Sequence, residues 1–276
     1  MSASSADLGI LTPDVANSPL ARANPVAKLA AGLCITVALL FSVDWVSASV
    51  ALACELALVP MLGVRPGTLL RRTWPLVVAA ALAAYSTALL GAKTGQVWLQ
   101  LGPVTMTEHS VLAGAAIGLR GLAIAVPGVF LLFSTDPTDL ADGLAQKLRL
   151  PSRFVLGALA GMRLVGLLVD EWRTLGLARR ARGVGTGHSP VARFRAFLGQ
   201  AFALLVQAIR RATRLAVAME ARGFGGTVDG KPAPRTWARE SSFSRLDAWV
   251  VAVGVGIAAL AVGAAVLAGT WNVVWG

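Results

Sequence analysis

Charge is scarce in this sequence. Only 14% of its 276 residues are Asp, Glu, Lys or Arg, against about 25% in an ordinary soluble domain. Together with 56% hydrophobic residues and a mean hydropathy of +0.68, that shortage excludes a soluble globular chain and points to a polytopic membrane protein. Cysteine is nearly absent as well. Cys34 and Cys54 both fall in apolar runs, which excludes a disulfide framework and reads as small side chains packed between helices. The two histidines, His109 and His188, stand apart from each other and from any cysteine, so neither makes a credible metal site. No GxxxxGK[ST] phosphate loop exists; the lysine of Gly91-Ala92-Lys93-Thr94-Gly95 has the wrong spacing. Any ATP-driven work then belongs to another subunit.

The positive charge that is present is concentrated. Residues 135–245 hold 18 of the 25 Lys and Arg and 8 of the 14 Asp and Glu. That segment carries +10 and the remainder +1. Such a block beside membrane spans marks the cytoplasmic face; the flanking spans argue against nucleic acid as its partner. Residues 1–24 read as a disordered cytoplasmic tail.

A helix needs about 20 apolar residues to cross a bilayer. Five runs qualify, at 25–43, 45–64, 74–92, 108–134 and 247–275. The expected fold is therefore an all-α polytopic membrane protein. Four spans occupy 25–134, a cytoplasmic module of amphipathic helices occupies 135–245, and a fifth span lies in 246–276. Trp45, Trp74, Trp98, Trp249, Trp271 and Trp275 fall near the ends of these runs, where indoles favour the headgroup zone. Arg22, Lys28, Arg65, Arg71 and Arg72 lie on the same side as the basic module, which places the N-terminus in the cytoplasm and the C-terminus outside. The stretch 93–107, with Gly95, Gly102 and Pro103, predicts a small external hairpin.

Three helices are expected in the module. Asp136-Pro137 begins the first, with Asp as N-cap and Pro at the first helical position. Pro151 begins the second, which ends at Arg182-Gly183. Ser189-Pro190 begins the third, which ends at Arg222-Gly223. The apolar portion of the third, 197–209, is too short to span, so these helices are expected along the membrane surface with their apolar faces toward the spans.

Few residues invite a catalytic reading. Asp136, Asp139 and Asp142 have the spacing of a magnesium-diphosphate site, which makes a membrane enzyme acting on a lipid-linked diphosphate the alternative function. The same three carboxylates suit the first turns of a helix, and no second acidic cluster completes a site. Glu55 and Arg120 lie within spans. They would line a polar pathway, or pair to lock spans two and four, or Arg120 would reach toward a surface. No catalytic, cofactor-binding or metal-binding set emerges.

The most specific signal is a duplicated segment. Ala181-Arg182-Gly183-Val184-Gly185 and Ala221-Arg222-Gly223-Phe224-Gly225 place two arginines 40 residues apart, each closing a helix-like run. Helix capping explains one Arg-Gly end. Two such ends on one platform suggest a pair of similar partners, since a guanidinium at a helix end can grip a carboxylate in a groove.

With these blocks the chain resembles the transmembrane coupling subunit, or T-component, of energy-coupling factor transporters (the cobalt/biotin-type permease family). The resemblance covers nearly the whole chain from about Leu20. It rests on Ser-Pro-Leu-Ala-Arg-Ala-Asn-Pro-Val-Ala-Lys at 18–28, Leu-Gly-Pro-Val-Thr-Met-Thr at 101–107 with Gly118-Leu119-Arg120, and Thr-Asp-Pro-Thr-Asp-Leu at 135–140 with Leu-Arg-Leu-Pro at 148–151. The two arginine signatures complete it. The resemblance implies a non-catalytic subunit of a bacterial cell membrane importer for vitamins or transition metals, with no cofactor. It implies that Ala181, Arg182 and Gly183, and Ala221, Arg222 and Gly223, dock into two ABC ATPase subunits or a fused pair. It further implies a separate substrate-binding membrane protein, the S-component, which the helix faces with Gly157, Ala158, Ala160, Gly161, Ala201 and Ala203 would touch. The lipid bilayer surrounds them all.

Overall fold

The computed structural model describes residues 20–42, 44–62, 66–91, 94–101, 104–184, 189–228, 231–232, 236–237 and 239–271. Most of the expected N-terminal tail, together with Lys93, Gly185, His188 and Trp275, lies outside these residues. Within them the chain is almost wholly helical: α1 (Pro25–Leu40), α2 (Trp45–Ala57), α3 (Pro66–Leu90), α4 (Glu108–Ser134), α5 (Pro137–Gln146), α6 (Ser152–Ala181), α7 (Pro190–Ala221) and α8 (Arg245–Leu267). Two small antiparallel hairpins complete it, β1 (Val97–Leu101) with β2 (Val104–Thr107) and β3 (Thr227–Val228) with β4 (Lys231–Pro232). The first is the hairpin that the glycines and proline of 93–107 predict. The described residues form two compact units, 20–143 with 241–271, and 144–240, with the boundary inside α5.

In the first unit α3 packs on α4, α1 on α8, and α2 on both α4 and α8. Its centre is Ile35, Leu39, Ala51, Ala123, Ile257 and Ala261. Small residues set the spacing. Gly114 and Gly118, one turn apart on α4, face Ala80, Ala84 and Ala88 of α3, and a Cβ on Gly114 would stand 2.5 Å from the Ala84 carbonyl oxygen. Between spans, lipid tails are as apolar as Leu, so close backbone approach and dispersion hold the helices together. Gly254 of α8 meets Ala31 of α1 in the same way.

Four segments among the described residues are long and apolar enough to cross a membrane: Thr73–Leu90, Glu108–Ser134, Ser152–Ala181 and Arg245–Leu267. This set differs from the five expected spans. α1 and α2 are shorter than the runs that contain them, with 16 and 13 residues, or about 24 and 20 Å at 1.5 Å per residue. Asp44 punctuates the junction as the N-cap of α2, accepting from the Ser47 amide at 2.9 Å and from the hydroxyls of Ser42 and Ser47. Pro60 then lies in a 3-10 turn, Val59–Leu62, that ends the second run early. α8 stops at Leu267 because Gly269 turns left-handed and the Thr270 amide donates back to Ala265 at 3.1 Å. α6 joins the set because Arg163 is the only charge between Phe154 and Val169; from Asp170 onward the helix is polar.

The chain entering α1 is tied down. Ala23 and Asn24 are buried. Asn24 caps α1 through the Val26 amide at 3.0 Å, and its side chain donates to Ser241 Oγ at 2.8 Å and the Ser242 carbonyl at 3.2 Å. Its own amide donates to the buried carboxylate of Asp247, which also takes the Ser244 amide and hydroxyl in a capping box at the start of α8. One turn on, buried Lys28 donates to the Ser134 carbonyl at 2.7 Å and Thr135 Oγ1 at 3.2 Å.

Candidate docking site

α6 and α7 end alike. After Ala181, Arg182 takes φ −88°, and Gly183 takes φ +77°. The Gly183 amide donates to the Arg180 carbonyl at 2.9 Å, and the Val184 amide to the Arg179 carbonyl at 2.9 Å. After Ala221, Arg222 takes φ −92°, and Gly223 takes φ +76°. The Gly223 amide donates to Glu220 at 2.9 Å and the Phe224 amide to Met219 at 3.0 Å. Both are Schellman ends, in which a left-handed residue lets two amides satisfy the last carbonyls. A side chain at either glycine would meet open space, so the constraint is the backbone's alone. Gly183→Ala and Gly223→Ala should each weaken their helix end by about 1–2 kcal/mol. Faster hydrogen exchange at the Val184 and Phe224 amides is the expected readout, and unchanged protection would contradict this account.

The two ends are not brought together. α7 folds back along α6. Trp172 and Phe197 meet edge to face with ring centroids 5.3 Å apart, Gln200 donates to the Trp172 carbonyl at 2.8 Å, and Arg211 pairs with Glu171. The end of α6 therefore lies beside the first turns of α7, and the end of α7 beside the first turns of α6. Each junction holds a cleft. That at the α7 end, about 900 Å³, is lined by Arg222, Gly223 and Phe224 together with Ser152, Arg153 and Leu156. The other, about 760 Å³, lies between Arg180 and Val184 on one side and Arg193 and Phe197 on the other. Arg182 and Arg222 are thus separated by most of a helix length, about 45 Å for 30 residues. Both side chains are exposed, and among the described residues neither makes an ion pair.

The hairpin has little core of its own. α7 buries none of its residues, and α6 buries only Val155, Leu159 and Gly176. Gly157 and Gly161 face open space, Ala158 is exposed, and Ala160, Ala201 and Ala203 are half-buried.

The remaining candidates fall to local roles. Asp136 caps α5, accepting from the Thr138 amide at 2.7 Å. Asp139 lies near enough to Lys28 to act on its charge. Among the described residues no group of three His, Cys, Asp or Glu is placed to hold a metal ion. Glu55 and Arg120 do not pair. Arg120 donates to the Leu40 carbonyl at 2.9 Å, where the end of α1 leaves carbonyls open. Glu55 is 1% exposed with neither oxygen hydrogen-bonded, beside a cavity of about 70 Å³ that Lys28 and Ser134 also line. An unpartnered buried polar group costs about 1–3 kcal/mol. Glu55→Met should therefore raise the thermal midpoint of the detergent-solubilised protein, and a lowered midpoint would show that the carboxyl has a partner.

Two arrangements escaped sequence reasoning. The tie between Asn24 and Asp247 joins residues 223 positions apart, which no local spacing signals. The arginines of the α6-end cleft had a visible cue: Arg173, Leu177 and Arg180 lie on one helix face.

A polytopic helical membrane protein carrying a helical hairpin with two matched arginine ends is the class that these features define. Residues 16–233 match the family of the cobalt transport protein CbiQ. Curated relatives named energy-coupling factor transporter transmembrane protein EcfT are similar over much of their length. That of Lacticaseibacillus paracasei is 28% identical over 242 residues, covering 85% of this chain and 89% of the relative. That of Listeria innocua is 30% identical over 228 residues, covering 76% and 82%. The chain belongs to this family, the transmembrane T-components of energy-coupling factor transporters.

Proposed function

We propose that the chain couples two ATPase subunits to a separate substrate-binding membrane protein in a bacterial importer. The observation that supports this most is the pair of matched, exposed Arg-Gly ends at opposite ends of one hairpin. Two similar grooves, one on each ATPase, fit two ends built alike and set well apart. Ala181, Arg182 and Gly183 would dock into one groove, and Ala221, Arg222 and Gly223 into the other, with small flanks that admit the groove walls. ATP-driven closure of the ATPases would draw the ends together and change the angle between α6 and α7. Their apolar faces, which lack a core of their own, would pass that motion to the S-component, and cargo selection would rest with that partner. In this reading α6 and α7 lie along the cytoplasmic face despite the apolar first half of α6, with the N-terminus inside and the C-terminus outside. The family's relatives carry energy-coupling factor names, and its model is that of a cobalt transport protein; transition metal or vitamin cargo fits both.

Affinity capture of the tagged chain from native membranes in mild detergent, followed by mass spectrometry, tests the assignment. Two nucleotide-binding subunits, or one fused chain, and a small membrane protein should be retained in stoichiometric amounts. A chain recovered alone from membranes that contain them would overturn it.

A further inference from the structure

The cleft at the α6 end carries more positive charge than the docking of Arg182 calls for. Arg173, Arg179 and Arg180 of α6 and Arg193 of α7 line it, with Gln200 between the helices. Arg179 is placed by the fold: its guanidinium lies across α7 over Gly199, 2.9 Å from where a Cβ on that residue would stand. The acidic neighbour is Asp170, 3.9 Å from Arg173, and both side chains are more than two-thirds exposed, so the pair neutralises little. The same cleft is lined by Leu177 and Phe197, which are 65% and 54% exposed, and Phe194 and Val191, flanking Arg193 in the chain, are 63% and 74% exposed. Four guanidiniums that can grip a phosphate through paired N–H donors thus adjoin a bare apolar rim. A soluble anion would satisfy the arginines and leave the rim in water. An amphiphile with an anionic head satisfies both, and a chain embedded in a bilayer meets such molecules continually.

We propose that this cleft binds the phosphate headgroup of an anionic phospholipid, with the acyl chains lying over Leu177 and Phe197. The site adjoins the α6 docking end, since Arg180 and Val184 line it, but neither Arg182 nor Arg222 does. It gives the first turns of α7 a fixed point on the membrane while the Arg182 and Arg222 side chains remain available to partners.

The test uses the full chain in mild detergent, titrated with phosphatidylglycerol or phosphatidylcholine of identical acyl chains, with bound lipid counted by native mass spectrometry. Phosphatidylglycerol should be preferred. Arg180→Gln with Arg193→Gln should lower its affinity roughly thirtyfold, at the usual contribution of a basic residue near an anionic surface, with phosphatidylcholine binding unchanged. Both positions are exposed, so the fold should survive the change. Arg210→Gln with Arg214→Gln, exposed on the same helix outside the cleft, should leave the preference intact. Equal loss in that control would mean diffuse attraction and overturn the site. Displacement of the lipid by equimolar inorganic phosphate would mean a soluble-anion site and overturn it too. So would unaltered lipid binding in the Arg180/Arg193 variant together with lost ATPase capture, which would assign the cleft to an acidic protein surface. Arg182 and Arg222 are intact throughout, so failure here leaves the docking assignment standing.

Discussion

Replacing Arg182 and Arg222 together by Glu should abolish co-purification of the ATPases and transport, while the protein still inserts into the membrane. Both side chains are exposed and bear no ion pair among the described residues, so no internal ion pair is lost. The helix ends should persist as well, because their hydrogen bonds run between backbone groups: Gly183 to Arg180 and Val184 to Arg179 in one, Gly223 to Glu220 and Phe224 to Met219 in the other. The effect then falls on the partners. Breaking a hydrogen-bonded charge pair at an interface costs about 2–5 kcal/mol, and every 1.4 kcal/mol is tenfold. Two breaks should lower affinity by roughly a thousandfold or more, and reversed charge adds repulsion. Each single variant should keep one attachment and show an intermediate loss, because linked sites gain from each other's occupancy. Arg210→Glu with Arg214→Glu serves as the control for bulk charge and should leave capture near normal. Normal capture of the ATPases by the Arg182/Arg222 variant would refute the docking assignment.

Asp247→Ala should produce the largest loss of stability. This buried carboxylate accepts from the Ser244 amide, the Ser244 hydroxyl and the Asn24 amide, and it lies near the Lys28 charge. Its removal undoes the cap of α8, strands the Asn24 amide and takes a counter-charge from a buried lysine. Removing one partner from a buried charged network costs about 3–5 kcal/mol. The thermal midpoint in detergent should fall by several degrees, with α1 and α8 losing protection from hydrogen exchange before α3 and α4. Asn24→Ala should cost less, because the backbone amide at position 24 remains and Asp247 keeps all three of its bonds, while only the side-chain bonds to Val26, Ser241 and Ser242 are lost. Equal effects of the two substitutions would contradict this division of roles.

The sequence by itself determined the class, the helix ends and the small β1–β2 hairpin. Scarce charge and long apolar runs exclude a soluble chain, and Pro and Ser at 189–190 with Arg-Gly at 182–183 and 222–223 mark termini, because capping and left-handed glycine depend only on near neighbours. Span lengths were less legible. Hydropathy reads through Leu58–Val64 and past Leu267, but Asp44, Pro60 and Gly269 stop the helices through backbone hydrogen bonding, which hydropathy ignores. Only the tertiary structure decided that Arg182 and Arg222 sit at opposite ends of a hairpin, that Arg120 bonds to Leu40 and leaves Glu55 alone, and that Asn24 clasps Asp247. Each of these depends on how distant helices pack. That packing is set by close contacts such as Gly114 on Ala84 and Gly199 under Arg179, which no one-dimensional spacing encodes.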